Sequence, residues 1–548
     1  MKLSKIQKLF GVIFLPAAFA ASAYAASESV QKAEGGSVFR MPARTINAAP
    51  GTREEIRTRV PMGDAALNAL KGQAARSDAE DGGNASIQVP EKGSSGDGPD
   101  QLFVSAVCNA NISTAGAPSD VHGAVGFSRF VVVTNVDIGV YNRAGCTIVS
   151  RVPLKTFFNN FVIPANQTLF DPRVLYDRAA GRFFVTAESR QTGITDQYQY
   201  FAVSTDSTAS AWRRYRFRLS DATGVFCKRT ANSFWDYPQA GKSVNRWFIT
   251  ANDFPAAGAA TGAILAIDKA PTLTGAATTG KCFNNLTFNL APPIVLDSST
   301  QSVFLTPRTA GSILRLNYTA AGAIGTDTLA AAASYAIPAW TVPPDAVQPN
   351  GQRLDSLDGR FQSGSLQSRD RIWNIHSIAS GARPLIRWYR LQRSASTTLS
   401  VVTFASTATS HLFNPSFVTN SGVDGSPAFI TASRTNPPVC AAIDCRAAMI
   451  TFSGPNNAGA ADWTQSLAGT STTNFATDGF GNACNTIVLP NKPRASCRWG
   501  DYSSITVDPL GGGRAWGFNQ LINGTTQFDW FTRAAEETYN LQVAPDGQ

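Results

Sequence analysis

The sequence predicts an all-β fold of radially repeated, four-stranded antiparallel units: a β-propeller, with seven blades as the best count and six or eight as alternatives. Three observations predict it. One phrase, a turn and then a short strand with an early aromatic or branched residue, occurs seven times: SRFVVVTN (128–135), GRFFVTAES (181–189), NRWFITAND (245–253), QSVFLTPRT (301–309), DRIWNIHSI (370–378), SPAFITASR (426–434) and GRAWGFNQL (513–521). Aligned on Val131, Phe184, Phe248, Phe304, Trp373, Phe429 and Trp516, the copies are 53, 64, 56, 69, 56 and 87 residues apart, a degenerate period that marks radial repeat architecture. A second strand type recurs the same seven times, from IGVYNRAG (138–145) through YFAVSTD (200–206), AILAIDK (263–269), SILRLNY (312–318), LIRWYRL (385–391) and MITFSGP (449–455) to FDWFTRA (528–534). Its apolar residues partly alternate with polar ones, as in half-buried antiparallel strands. Composition agrees: only 16% of residues are charged, beside 45 Gly and 30 Pro, the balance of an all-β chain with many turns.

Each unit parses into four strands. The innermost is introduced by phrases such as FDPRVLYD (170–177), FWDYPQAG (234–241), FNPSFVTN (413–420) and WGDYSSITVD (499–508). The repeated phrase is second, the alternating strand third, and a variable strand, clearest at WRRYRFRLS (212–220), outermost. The 87-residue step before Trp516 has room for an extra unit or a long insertion. A ring must close or leave exposed sheet edges. Either LFVSAVC (102–108) or YNLQV (539–543) could supply the closing strand.

Ahead of the repeats, residues 1–25 read as a cleavable export signal: Lys2, Lys5 and Lys8, an apolar run from Leu9 to Phe19, then Ala23-Tyr24-Ala25. The run is too short to span a bilayer and no later stretch approaches the ~18 apolar residues that a spanning helix needs. A secreted or periplasmic location, with no integral membrane segment in the mature chain, is expected. Residues 26–100, poor in aromatics and ending in EKGSSGDGPD, read as a flexible leader, with one short helix at most over Asp64 to Arg76. The propeller is expected over 101–540 and a tail over 541–548. All eight cysteines follow the signal, and an even count in an exported chain reads as disulfides. Neighbourhood favours Cys108–Cys146, Cys227–Cys282, Cys440–Cys445 and Cys484–Cys497 among the 105 pairings that eight cysteines allow.

Formal net charge is +9 and pI near 9.2, but three of those charges belong to the signal and the rest are dispersed. Nucleic acid is therefore not an expected partner, whereas glycans or acidic surfaces are. A monomer is expected.

Several phrases resemble a broad group of secreted bacterial β-propeller proteins: DPRVLYDRAAGRFFV (171–185), DYPQAGKSVNRWFITANDF (236–254), RLDSLDGRFQ (353–362), IRWYRL (386–391) and RWGDYSSITVDP (498–509). STDSTASAW (204–212) resembles the Asp-box turn of sialidase-like propellers, with one extra residue and without its glycine; SGPNNAGAADW (453–463) is a weaker likeness. The resemblance implies a propeller. In those families the Asp box is a structural hairpin, so it implies no catalytic residue, and such folds host many functions.

The parse places the loops between second and third strands, and those leading into innermost strands, on one face around the central channel. The first group carries Glu188, Arg190, Asp253, Arg308, His376 and Arg434; the second carries Asp171, Asp236, Tyr237, Asp501 and Tyr502. Arginines there could hold an anionic group while carboxylates do acid–base work. Asp and Asn that satisfy loop amides, paired with those arginines, would look the same in sequence. Glu188 stands out as the only glutamate between residues 92 and 535. Glu188 with Asp171, Asp236 or Asp253 could form the carboxylate pair of a glycosidase. No G-x-S-x-G, Walker loop, G-x-G-x-x-G or C-x-x-C occurs, and of three histidines only His376 closes a strand on this face. No cofactor or metal is expected; calcium in Asp-rich loops is the one ion left open, without an ordered Asp-x-Asp run to hold it.

Recognition of an extracellular ligand, a glycan or surface protein, is the reading these features favour. The alternatives are a sialidase-like or other hydrolase using rim carboxylates and arginines, and a protein-interaction scaffold. An enzyme requires the carboxylates to converge; a binding module requires exposed aromatics such as Tyr237 or Tyr502.

Overall fold

The computed structural model describes residues 27–42, 54–55, 87–88 and 104–539, apart from 114–115, 166, 192–195, 221–223, 256–257, 438–444, 458, 460–461, 487–494 and 512. The fold is all-β. A second strand forms at each copy of the repeated phrase: Arg129–Val133, Arg182–Gln191, Arg246–Phe254, Gln301–Arg308, Arg371–Ser380, Pro427–Thr435 and Arg514–Ile522. Each pairs antiparallel with the expected third strand, Asp137–Asn142, Gln197–Ser204, Thr261–Asp268, Ser312–Thr319, Arg383–Gln392, Ala448–Pro455 and Trp530–Thr538 in turn.

These pairs are the centres of consecutive antiparallel sheets. In the first, His122–Val125, Arg129–Val133, Asp137–Asn142 and Ile148–Pro153 lie in chain order. The fourth unit departs from this pattern. Its short innermost segment Pro293–Val295 pairs in parallel with Phe234–Lys242 on one side and Ser365–Ser368 on the other. Among the described residues, backbone pairing with its own second strand is limited to the Ala291–Leu305 bridge just before the segment. Pro292 and Pro293 have no N–H to donate, so a full ladder cannot form there.

The strand Val104–Ser113 lies antiparallel to Trp530–Thr538, as the outermost strand of the last sheet. The segment around LFVSAVC thus supplies the closing strand; YNLQV lies, beyond Tyr539, outside the described residues. At the channel the last and first innermost strands are stapled by hydroxyls. Ser504 Oγ accepts from Gly123 N at 2.6 Å and donates to Gly123 O at 2.8 Å, and Thr506 Oγ1 accepts from Val125 N at 3.2 Å. The Cys108–Cys146 disulfide ties the closing strand to the first sheet.

The aromatic positions of the repeat wedge adjacent sheets apart. Phe184 stacks on Trp247 with ring centroids 4.6 Å apart, Phe248 meets Phe304 edge-on at 5.2 Å, and Trp516 of the last sheet stacks on Phe130 of the first at 5.4 Å. All six are essentially fully buried, so these positions are core.

The stretch expected to be a flexible leader is partly ordered. Ser27–Lys32 adds to the outer edge of Thr279–Leu286, and Glu34–Arg40 to that of Ala211–Ser220. Outermost strands expose unpaired backbone groups, and these segments cover two such edges. Ion pairs Lys281–Glu28 and Arg216–Glu34, both 2.8 Å, fix them there. Residues 1–25, the helix expected over Asp64 to Arg76, and the tail 541–548 lie outside the described residues.

Cys227–Cys282 and Cys484–Cys497 are also bonded as expected; Cys445 is disulfide-bonded, and Cys440 lies outside the described residues. The STDSTASAW segment is a hairpin between third and fourth strands. Asp206 Oδ1 accepts from Thr208 N at 2.8 Å, and buried Trp212 donates from Nε1 to Ala209 O at 3.0 Å. Its role is structural. Among the described residues no helix is long and apolar enough to cross a membrane.

Because Cys108–Cys146 links the closing strand to the first sheet, the double variant Cys108→Ser/Cys146→Ser is expected to lose about 2–5 kcal/mol of stability. Equilibrium denaturation in urea against the parent checks this.

Candidate active site

Three innermost strands begin with the same irregularity. Asp171, Tyr237 and Asn414 each precede a proline and have φ of 48°, 60° and 52°. At each of them the ladder skips, between Phe170 and Arg173, Asp236 and Gln239, and Phe413 and Ser416. A residue before proline is kept out of the right-handed helical region, and a bulge with a left-handed residue re-aims its side chain. Asn and Asp tolerate this conformation; a tyrosine there is strained. Asp120, with φ 44°, precedes the innermost strand of the first sheet in the same conformation.

The bulges bring carboxylates together. One oxygen each from Asp171, Glu188 and Asp236 lies within 4.8 Å of the others, and all three residues are buried. Glu188 comes from the adjacent second strand, opposite Phe170. Around them, Tyr502 Oη donates to Asp171 Oδ2 at 2.6 Å. Asn135 accepts from Asp171 N at 2.7 Å and donates to Asp120 Oδ2 at 2.5 Å; Asp120 Oδ1 accepts from Asp501 N at 2.7 Å.

Beneath this group lies Arg173, 1% exposed, with its guanidinium carbon 3.1 Å from the centre of the Tyr502 ring. Tyr237 meets Tyr502 edge-on at 5.2 Å. Arg173 donates from Nε to Pro238 O at 2.9 Å and from Nη1 to Gln362 O at 3.1 Å. Two long insertions, residues 337–364 and 471–503, meet above. Cys497 N donates to Arg353 O and Asp355 N to Cys497 O, both at 3.0 Å. They deliver the Arg360–Asp358 pair, with Arg360 4.2 Å from the Tyr237 ring centre, and Arg498, which donates to Asp501 Oδ1 at 3.3 Å.

Burial dominates the electrostatics. It holds the Asp171 carboxyl well above the usual carboxylate range, reinforced by the charges of Asp120, Asp236 and Asp501. Asp501 is pushed up to about 7 by burial, against the pull of Arg498 and with the help of Asp120 and Asp355. Asp120 is raised by burial, with Arg498 opposing. Burial also raises the Tyr502 phenol well above its ordinary value, and Asp171 adds to it. Protons are therefore shared among neighbouring acids that cannot all ionise. Three carboxylates at this spacing could act in acid–base and nucleophilic catalysis, or supply oxygen ligands to a hard cation.

Of the residues singled out in the sequence, Asp171, Glu188, Asp236, Tyr237, Asp501 and Tyr502 meet here. The others make the following contacts. Asp253 is outside the convergent three and accepts from Arg229 N at 2.7 Å. Arg190 lies 5.5 Å from the Phe234 ring centre, Arg308 donates to Thr287 Oγ1, and Arg434 donates to Ser406 Oγ at 3.1 Å. His376 is a core residue rather than a rim ligand. It is fully buried against Trp340 and Phe361, bonded to Gly359 O and at 2.9 Å to Tyr389 Oη, and burial lowers its pKa to about 3. Tyr237 and Tyr502 are buried, contrary to the exposed aromatics that a binding face would present. Asp120, Arg173 and Arg360 were not singled out in the sequence; the position two residues after Asp171, in DPR, is the signal that marks Arg173 as channel-facing.

No protein family matches the chain, and no curated protein matches it in sequence. Among solved structures it is similar to the α-L-arabinofuranosidase of Fusarium graminearum, at 10% identity and a TM-score of 0.36 over 80% of this chain and 98% of that one. It is also similar to an endo-arabinase from Bacteroides thetaiotaomicron, at 11% identity and a TM-score of 0.28 over 68% and 94% of the two chains. The sialidase of Trypanosoma rangeli matches at 10% identity and a TM-score of 0.31, over 67% and 53%.

The raised pKa of Asp501 fixes the sign of a pH effect. Its contribution to stability is complete below the unfolded value, ~3.9, and is lost as pH rises through about 7. Asp171 and Asp120, also raised, act in the same direction. Asp501→Asn is expected to flatten the decline in melting temperature between pH ~4 and ~7, relative to the parent, in thermal melts across that range.

Proposed function

We propose that the chain is a seven-bladed β-propeller and a glycoside hydrolase, the convergent carboxylates Asp171, Glu188 and Asp236 at one pole of its channel forming the active site. The spacing of those carboxylates carries the reading. Carboxyl groups about 5–5.5 Å apart suit retention of configuration, whereas inversion needs roughly 6.5–9.5 Å to admit a water. Asp171, held protonated by burial and by neighbouring acids, is the general acid. Asp236 is the nucleophile: like Asp171 it keeps some exposure, 5% and 7% respectively, while Glu188 has none. Glu188, fully buried and within 4.8 Å of both, is a positioning residue.

Charge points to the substrate. Asp120 and Asp501 add negative charge beside Asp171, while Arg360 and Arg498 already face Asp358 and Asp501. An anionic sugar would meet this acidic pole unfavourably, so a neutral glycan fits better than a sialic acid. Recognition without turnover is the weaker reading, because buried, proton-sharing acids are costly unless used.

Assay of the full-length chain on a panel of neutral nitrophenyl and dinitrophenyl glycosides tests this. Asp236→Asn is expected to abolish turnover of every substrate that the parent accepts. Asp171→Asn is expected to lose about 10²–10⁴-fold on poor leaving groups and far less on dinitrophenyl glycosides, which need no protonation. Absence of turnover across the panel would sink the assignment.

The same three carboxylates are the set that would hold calcium, a hard cation that takes oxygen ligands. If they do, calcium raises the melting temperature of the parent but not that of Asp236→Asn.

A further inference from the structure

Below Arg173 the channel opens into a second compartment that the carboxylate group does not share. It is a cavity of about 420 Å³, lined by innermost-strand residues of every sheet, and none of Asp171, Glu188, Asp236, Tyr237 or Tyr502 lines it. Leu175, Ile294, Leu366, Phe417 and Ile505 are among its apolar walls. Arg178, Leu296 and Asn420, exposed at the opposite ends of the innermost strands from the carboxylates, form its mouth. The volume falls within the roughly 300–1,000 Å³ of small-molecule pockets.

The closed end is polar and incompletely satisfied. Arg173 Nη2 is buried without a hydrogen-bond partner, and among the described residues no carboxylate lies within ion-pair distance of this guanidinium. A buried charge in that state is costly until a counter-ion arrives. Beside it His122 accepts Val174 N at Nδ1 at 3.4 Å, which leaves the ring proton on Nε2. Burial and the Arg173 charge keep that imidazole neutral. The closed end therefore sets the Arg173 charge and the His122 imidazole beside an apolar wall.

We propose that this cavity binds a small amphipathic carboxylate, its head on Arg173 and His122 and its apolar body along the channel, admitted from the face opposite the active site. Arg173 and the carboxylate of the ligand would form the ion pair that the described residues do not supply.

Binding to the full-length chain is measured by calorimetry with decanoate and with decanol, and by displacement of anilinonaphthalene sulfonate fluorescence. Decanoate is expected to bind at least about tenfold tighter than decanol, the worth of a charge-assisted bond. Ala240→Phe fills the cavity without altering Arg173 and is expected to weaken decanoate at least tenfold, as is Arg173→Gln. Equal affinity for decanoate and decanol, no binding of either, or unchanged affinity in Ala240→Phe would overturn the proposal. These readings stand even if Arg173→Gln fails to fold.

Discussion

The pole of this molecule depends on a local backbone conflict repeated around the channel: a left-handed residue immediately before a proline, where an innermost strand begins. At Asp171, Tyr237 and Asn414 the chain gives up a ladder step, and in return a side chain that would stand between sheets is turned into the channel. The surroundings hold each in place. Asn414 Nδ2 donates to Gly500 O and Tyr502 O at 3.0 and 2.9 Å, and Gln362 Nε2 donates to Asn414 Oδ1 and to Asp501 O, both at 3.1 Å. Strain of this kind persists only where neighbours over-determine it, and it gathers at functional sites.

Tyr237, Tyr502 and Arg173 then act as a partition. On one side buried acids crowd one another, where unlike protonation states are cheaper than like charges. On the other side a cation faces apolar walls. A single guanidinium pressed on a tyrosine ring separates the two, and its backbone partners Pro238 and Gln362 come from segments far apart in the chain. The channel thus has two compartments of opposite polarity.

Much of the frame was legible in the residues. The aromatic period located every second strand, and the alternating phrases every third, because both patterns answer to burial between adjacent sheets. Pro293–Val295 was not legible, since it pairs only with neighbouring units, and neither were the edge strands at 27–40, whose alternation is weak and whose partners lie about two hundred residues away. At the site, Glu188 stood out through its rarity, and Asp171 and Asp236 through the recurring phrases that introduce innermost strands. Asp355 and Asp358 were legible as rim carboxylates in RLDSLDGRFQ, whereas Arg360 depends on two insertions meeting, which no local pattern encodes. His376 misled because Trp340 and Phe361, which bury it, are far along the chain from it.

The closing strand has a consequence in time. Val104–Ser113 leaves the ribosome before any other strand of the last sheet, yet its partner Trp530–Thr538 is among the last to be made; nearby, Trp530 Nε1 reaches Gly116 O across 414 residues. Ring closure therefore carries one of the largest loop-entropy costs in the chain, and it is incurred when synthesis is nearly over. Until then, the first sheets have one bare flank and the early strand has nothing to join. A last sheet that lacks Trp530–Thr538 leaves Val104–Ser113 without its partner and an open strand edge, the kind that invites aggregation.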